Sequence, residues 1–330
     1  MNKLGEITLA NLPTKIEKLK SFSQKFYGTD IYIKRDDYTG MEVSGNKVRK
    51  LEFTLKDALE KGCDSVITCG GIQSNHARAT VVCATKLGLK SYLVLKGNDK
   101  EYNRGNHFID RVLGAQVKFI SDEEYKHNRN EIMEAFKKEL EAKGHKPYIM
   151  PEGASNGIGN FGYMKAFDEI LEQEKELGIS FHVICVAVGS GGTYGGLFLG
   201  NEIHKSGKKI FGINIYDDKV DYVDKVYNLM DESHKYMEEN ISCSKDDINI
   251  IDDYVGEGYG KTTDEQIKFI IEVARKEGIM LDTVYTGKAF YGLIQELKKG
   301  TIGEKVNVLF IHTGGQFGNF AKSELFEPFI

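Results

Sequence analysis

The sequence predicts an α/β protein whose strands pair mostly in parallel. Three observations carry this expectation. Short β-branched runs alternate with amphipathic helical stretches, glycine-containing turns separate them, and the alternation resumes after a Gly/Asn-rich connector. A chain of 330 residues is long enough for two modest domains or a single large one.

In chain order, Ile31–Asp37 reads as a strand running into a turn. Ser44-Gly45-Asn46-Lys47 opens a helix with apolar residues at Val48, Leu51, Leu55 and Leu59. Ser65–Cys69 is a strand, Ala77–Leu87 a helix stopped by Gly88, and Ser91–Leu95 the next strand. Asn106–Leu113 is helical and Gln116–Ile120 extended; the charged stretch Glu123–Lys143 predicts one long solvent-facing helix, and Tyr148–Met150 a short strand. The connector Glu152–Gly162 is the natural boundary by composition. Beyond it, strands are expected near His182–Val188, Ile210–Ile215 and Val306–His312.

Composition excludes several function classes. Net charge is -5 and the 44 basic residues are scattered, which gives no electrostatic track for nucleic acid. The longest apolar runs, such as Val183–Val188, are far too short to cross a membrane, and lysines between Asn11 and Lys20 break any signal-peptide pattern. A cytoplasmic protein is expected. The five cysteines are an odd count with no CxxC pair, so neither a disulfide framework nor a structural zinc site is predicted, and no metal is expected. Three of them lie in apolar patterns, as buried free thiols do.

Glycine-rich segments at the carboxyl ends of parallel strands are where such sheets bind ligands. The strand Val183–Val188 is followed at once by Gly189-Ser190-Gly191-Gly192-Thr193 and then by a helical run from Tyr194. Consecutive small residues let backbone N–H groups converge on one concavity, and the helix N-terminus adds partial positive charge, which suits a phosphate. The plainer alternative is a tight turn without a ligand. The dinucleotide pattern GxGxxG would need glycine where Tyr194 stands; Gly40 and Gly45 have Walker A spacing, but Asn46 follows where lysine is required. A single phosphate monoester fits best.

Lys47 falls in the first turn of its helix, an electrostatically poor place for a cation. In a cleft, its ammonium form would be disfavoured, as an amine attacking a carbonyl requires. Taken alone it reads as an ordinary surface lysine, as most lysines do. Lys50, three residues on, is expected to point elsewhere, into solvent. Gly70-Gly71-Ile72-Gln73-Ser74-Asn75-His76 offers hydroxyl, amide and imidazole groups at a second helix N-terminus, able to receive a carboxylate or a phenolic oxygen. Simple N-capping by Ser74 or Asn75 is the alternative.

Together these pieces resemble the tryptophan-synthase-β-like (fold type II) pyridoxal-phosphate enzymes, and within them the group of D-cysteine desulfhydrase and 1-aminocyclopropane-1-carboxylate (ACC) deaminase. The resemblance rests on the segments 44–53, 70–78 and 189–193, on Val284-Tyr285-Thr286-Gly287-Lys288 and on His312-Thr313-Gly314-Gly315, in order from Ile31 to Phe320. It implies two open twisted, mostly parallel sheets covered by helices. A small domain of residues 50–160 would be inserted in a large domain of 1–49 and 161–330, with the active site in the cleft between them. It further implies pyridoxal 5'-phosphate as cofactor, a small amino-acid substrate and a homodimer. Lys47 would carry the cofactor and move the substrate proton, and Asn75 would hydrogen-bond the phenolic oxygen. Ser74 would meet the substrate carboxylate, with His76 and Thr286 also at the substrate. Gly189, Ser190, Gly191, Gly192 and Thr193 would hold the phosphate, Thr313 would face the pyridine nitrogen, and Tyr259 and Tyr285 would be active-site tyrosines. Without the family, either would be one tyrosine of 17. Lys15 departs from the proline that relatives often have, at a peripheral loop.

ACC deaminases typically have glutamate after the tyrosine at position 285 and leucine after the histidine at 312; this chain has Thr286 and Thr313, as D-cysteine desulfhydrases do. A neutral hydroxyl at the pyridine nitrogen keeps the ring a weaker electron sink, which suits elimination of a good leaving group. The implied activity is α,β-elimination of D-cysteine to pyruvate, hydrogen sulfide and ammonia. The rivals are ACC deaminase, a lyase for cysteate or D-serine, and a non-catalytic protein binding a phosphate ligand.

Overall fold

A computed structural model describes residues 4–98, 103–216, 222–238 and 241–330. Among them ten strands form two sheets: β1 (Ile16–Lys18), β2 (Asp30–Lys34), β3 (Ser65–Gly71), β4 (Lys90–Lys96), β5 (Gln116–Ile120), β6 (Pro147–Ile149), β7 (Val183–Val188), β8 (Lys209–Asn214), β9 (Asn249–Ile251) and β10 (Asn307–Ile311). The larger sheet has the order β1-β2-β10-β7-β8-β9, and only the β1–β2 pair is antiparallel. The smaller, β5-β4-β3-β6, is parallel throughout and comes from chain lying between β2 and β7.

Parallel strands need cover on both faces, and the sequence supplies it. Along β7, Val183, Cys185 and Ala187 pack with Phe22, Phe290 and Phe310 on one side. Ile184, Val186 and Val188 pack with Phe167, Leu197 and Leu309 on the other. Adjacent residues thus feed opposite layers, as the two-residue period of a strand dictates. In the smaller sheet, Leu93 and Leu95 of β4 meet Ala77 and Val81, while Tyr92 and Val94 face Met133 and Leu140.

The expected strands and helices lie where the sequence placed them, within a residue or two, with two differences. Glu123–Lys143 is not one helix. Ser121 and Glu124 form a capping box on a helix of Asp122–His127, and Asn128 (φ -122°) separates it from a second helix, Arg129–Glu141, whose Met133 and Leu140 turn into the core. The short edge strands β1 and β9, of three residues each, were not anticipated. Cys69, Cys83 and Cys185 are buried free thiols. No helix among the described residues is long and apolar enough to cross a membrane.

Candidate active site

Five strand ends deliver residues to one cavity, the kind of concave place where such sheets bind small molecules. β2 leads to the helix Lys47–Glu60, β3 to Ser74 and Asn75, β7 to the 189–193 loop, β8 to Tyr216, and β10 to Thr313. Of the residues singled out in the sequence, Lys47, Ser74, Asn75, His76, Tyr259, Tyr285 and Thr313 border the cavity, with Gly189, Ser190, Gly191 and Thr193.

Lys47 is placed by close contact between two loops. Gly45 adopts φ 110°, and a Cβ there would lie 2.6 Å from the Thr313 carbonyl oxygen, so glycine is required. Asn46 then donates its backbone N–H to that same oxygen at 3.2 Å and its Nδ2 to Thr193 Oγ1 at 2.9 Å. This joins the lysine's helix to the loops after β7 and β10. Burial lowers the Lys47 pKa to about 8, while the Glu152 carboxylate, also on the cavity wall, pulls it upward. Near neutral pH a useful fraction of the amine is therefore unprotonated.

Lys50 was expected in solvent and is instead wholly buried. Its ammonium donates to the Gly153 carbonyl at 3.0 Å and to Ser155 Oγ at 2.8 Å. Residues three apart on a helix share a face, and that is why Lys50 follows Lys47 inward. It stands directly behind the loop: a Cβ on Gly192 would come within 2.7 Å of Lys50 Nζ, so Gly192 backs onto the lysine and does not line the cavity. Burial, then repulsion from Lys47 and Lys225, pushes the Lys50 pKa well down. Lys225 donates to the Gly189 carbonyl at 3.2 Å. Two lysines and the N-terminus of the helix Gly192–Ile203 therefore converge on one loop.

Ser74 caps the helix Asn75–Lys86, accepting from the Ala77 N–H at 3.1 Å, and its side chain still borders the cavity. His76, expected at the substrate, has both ring nitrogens engaged elsewhere. Thr68 Oγ1 gives its proton to the Met150 carbonyl at 2.9 Å and so accepts from His76 Nε2 at 2.8 Å; Thr80 Oγ1 lies 3.5 Å from Nδ1. Burial, with Lys47 and Lys50 nearby, holds the ring neutral. The residue borders the cavity, but both ring nitrogens are engaged with threonines. Thr286 departs further from expectation. It lies outside the cavity, its hydroxyl donating to Asp282 Oδ1 at 2.7 Å and accepting from the Asp282 N–H at 2.8 Å. Asp282 also accepts from the backbone N–H groups of Val284, Tyr285 and Thr286, so Thr286 helps cap a helix start instead of meeting a ligand.

The Tyr259 and Tyr285 hydroxyls are 2.5 Å apart, and Tyr216 stacks on Tyr259 with ring centroids at 4.3 Å. Burial raises the pKa of both hydroxyl-paired tyrosines far above the ordinary value, so both stay protonated. Tyr216, Glu152 and Asn46 are cavity residues that the sequence reading missed. For Asn46 the signal was its place beside Lys47; for Glu152 it was the start of the connector, read only as a boundary.

The family model described as pyridoxal-phosphate dependent enzyme matches residues 7–314. The chain belongs to that family. A Thermotoga maritima protein provisionally named 1-aminocyclopropane-1-carboxylate deaminase is 44% identical over 319 residues, covering 96% of this chain and 98% of its own. An Arabidopsis thaliana mitochondrial protein named bifunctional D-cysteine desulfhydrase/1-aminocyclopropane-1-carboxylate deaminase is 42% identical over 324 residues, covering 96% of this chain and 79% of its own. A crystal structure of an ACC deaminase homologue superposes with a TM-score of 0.90 at 39% identity, over 99% of this chain and 97% of that one. O-ureido-L-serine synthase, at 15% identity and a TM-score of 0.69, shares the fold.

The residues present fit pyridoxal phosphate. A phosphate monoester would find the 189–193 backbone and the helix N-terminus, with the buried Lys50 amine behind the loop, for which no carboxylate partner exists among the described residues. An aldehyde finds the unprotonated fraction of Lys47 on the same cavity wall.

Proposed function

We propose that the chain eliminates sulfide from D-cysteine, taking up water and giving pyruvate, hydrogen sulfide and ammonia. The observation that carries this reading is the neutral character of four residues, Tyr259, Tyr285, Thr313 and Thr286, the Glu152 carboxylate on the same cavity being the one that acts on Lys47. Tyr259 and Tyr285 hold their protons, Thr313 offers only a hydroxyl, and Thr286 is withdrawn onto Asp282. None of the four places a carboxylate there.

Bound pyridoxal phosphate draws electrons from the α-carbon of an amino acid joined to it. The chain supplies the rest. Ser74 and the N-terminus of the Asn75–Lys86 helix receive the substrate carboxylate, and Asn75 donates to the cofactor's phenolic oxygen. Gly189 to Thr193, backed by Lys50, hold the phosphate. Lys47, as the free amine, takes the α-proton. Tyr285 or Tyr259 hands a proton to the departing sulfur. The division into a large unit of residues 1–49 and 161–330 and an inserted unit of 50–160 belongs to the same reading. It is supported by the smaller sheet's origin between β2 and β7.

ACC deamination is the second reading, favoured by the names of the Thermotoga and Arabidopsis relatives. Keto-acid release by the cofactor-loaded protein decides between them, with D-cysteine, L-cysteine and ACC offered side by side. Pyruvate from D-cysteine alone is expected. Oxobutyrate from ACC without pyruvate from D-cysteine would overturn the proposal in favour of the second reading.

A further inference from the structure

The direction of one amide at the cavity is set by residues behind it. Asn75 accepts at Oδ1 from Nδ2 of Asn106 at 2.9 Å, and Asn106 accepts at Oδ1 from Nε of Arg78 at 2.8 Å. An amide can be turned end for end with little change of shape, so such a chain has a direction only if one member is restricted to donating or accepting. Arg78 is that member, because a guanidinium only donates. It cannot turn away, being fully buried. Its other arms donate to the Ser44 carbonyl at 2.7 Å and to the Glu42 carbonyl, and its guanidinium carbon lies 5.0 Å from the Phe317 ring centre.

From Arg78 outward each orientation follows. Asn106 must present its oxygen to Arg78 and its NH2 to Asn75 Oδ1 and the Gln73 carbonyl, the latter at 2.9 Å. Its backbone is pinned as well, donating to Gln73 Oε1 at 2.9 Å. Asn75 must then present its oxygen to Asn106, which leaves its NH2 as the end available to the cavity that the residue borders.

We propose that Asn106 is a positioning residue: backed by Arg78, it locks the Asn75 amide as a hydrogen-bond donor toward the cofactor's phenolic oxygen. This rests on the role proposed for Asn75 above and adds what enforces it.

Asn106→Asp tests the relay. The carboxylate keeps the size of the side chain and its acceptor toward Arg78 but has no donor for Asn75. Asn75 then turns its NH2 toward position 106, and its carbonyl oxygen faces the cavity. A donor at the phenolic oxygen favours its deprotonated form. The pH titration of the bound cofactor's visible absorbance should therefore shift to a higher midpoint by about one unit, with roughly tenfold weaker pyridoxal-phosphate binding. Asn75→Ala should raise the midpoint as well, and Asn106→Asp should add nothing in the Asn75→Ala background. Additive shifts in the double variant would overturn the relay, because Asn106 would then act by another route. An unshifted Asn106→Asp midpoint beside a shifted Asn75→Ala would also overturn it, while leaving the role of Asn75 standing. An unshifted Asn75→Ala would sink that role and the relay together. If Asn106→Asp fails to fold, Asn106→Ser, which removes the amide without adding charge, is read by the same titration with the same expected direction.

Discussion

Replacing Lys50 with methionine removes an ammonium while keeping an unbranched, space-filling stem. In the cofactor-free protein that ammonium has only neutral partners, the Gly153 carbonyl and Ser155 Oγ. Losing a buried, poorly compensated cation is favourable, and leaving a carbonyl with a weaker partner is unfavourable; the two offset to within about 1 kcal/mol. The fold should survive, and one feature of its pH dependence should change. The folded-state pKa of Lys50 lies well below its ordinary value because of burial, so the unfolded chain binds the extra proton in the window between the two. Stability of the cofactor-free wild type therefore rises with pH up to about 10.4, and the variant flattens that slope. With cofactor the result is asymmetric. A phosphate held by the 189–193 loop would lose the positive charge behind that loop, an effect of roughly 1.5–3 kcal/mol, or about 10- to 100-fold in affinity. Pyridoxal, which lacks the phosphate, should bind wild type and variant alike. Equilibrium titrations with both compounds, followed by absorbance, make the comparison. Equal loss for both compounds, or loss for neither, would refute the proposal that the 189–193 loop in front of Lys50 holds the phosphate.

Lys47→Ala should fold as the wild type does by thermal melting yet release no keto acid, and borohydride should fix the cofactor covalently to the wild type only. Glu152→Gln removes the carboxylate that opposes burial at Lys47, so the amine's pKa should fall below about 8 and the rising limb of the kcat/KM profile should move to lower pH. Asp36→Asn should cost about 3–5 kcal/mol in denaturant unfolding, because Arg49, which binds Asp36 at 2.8 and 2.9 Å, is fully buried. Burial alone would raise the Asp36 pKa, but Arg49 and Lys34 hold it at about 2. Its stabilisation is thus full above its unfolded value of about 3.9 and is lost as pH falls toward 2, a loss the variant should not show.

The strands, the small-residue loop at the cavity and the place of Lys47 on its wall were legible because each is encoded locally. β7 is a continuous apolar run, the loop is a block of small residues, and Lys47 stands at a helix start after a glycine whose conformation only glycine adopts easily. What local pattern does not encode is where a polar side chain turns once the sheets meet. Lys50 shows this best. Treated singly, a lysine belongs in solvent, and only its spacing from Lys47, with a loop arriving from β7 to face it, makes burial reasonable. Thr286 fails in the opposite sense: its neighbourhood in sequence points to the cavity, but Asp282, four residues earlier, claims its hydroxyl and three backbone N–H groups. His76 likewise lies in the right segment while Thr68, on β3, accepts the hydrogen bond from its Nε2.

Two buried arginines explain how a site assembled from distant segments stays in register. Arg49, two residues beyond Lys47, binds Asp36 after β2 and Glu169 of the helix Phe161–Leu177. Arg78, three residues beyond Asn75, binds the carbonyls of Glu42 and Ser44, in the loop that begins the Lys47 helix. One guanidinium thus fixes the amine-bearing helix relative to the amide-bearing one. Groups that act together need placement to within about half an ångström, and a clamp of this kind supplies it. The two arginines differ in charge balance. Arg49 is paired with carboxylates, whereas Arg78 makes its hydrogen bonds to neutral oxygens. Its nearest carboxyl influence is Asp110, which burial drives up to about 8 despite Arg78, and neither Asp110 oxygen has a hydrogen-bond partner. At neutral pH Asp110 is therefore mostly protonated, and Arg78, its own pKa lowered by burial to about 10, remains charged. Arg78 thus keeps a positive charge behind Asn75 that no ionised carboxylate hydrogen-bonds. That charge favours an anionic group on the ligand, such as an ionised phenol, at the Asn75 side of the cavity.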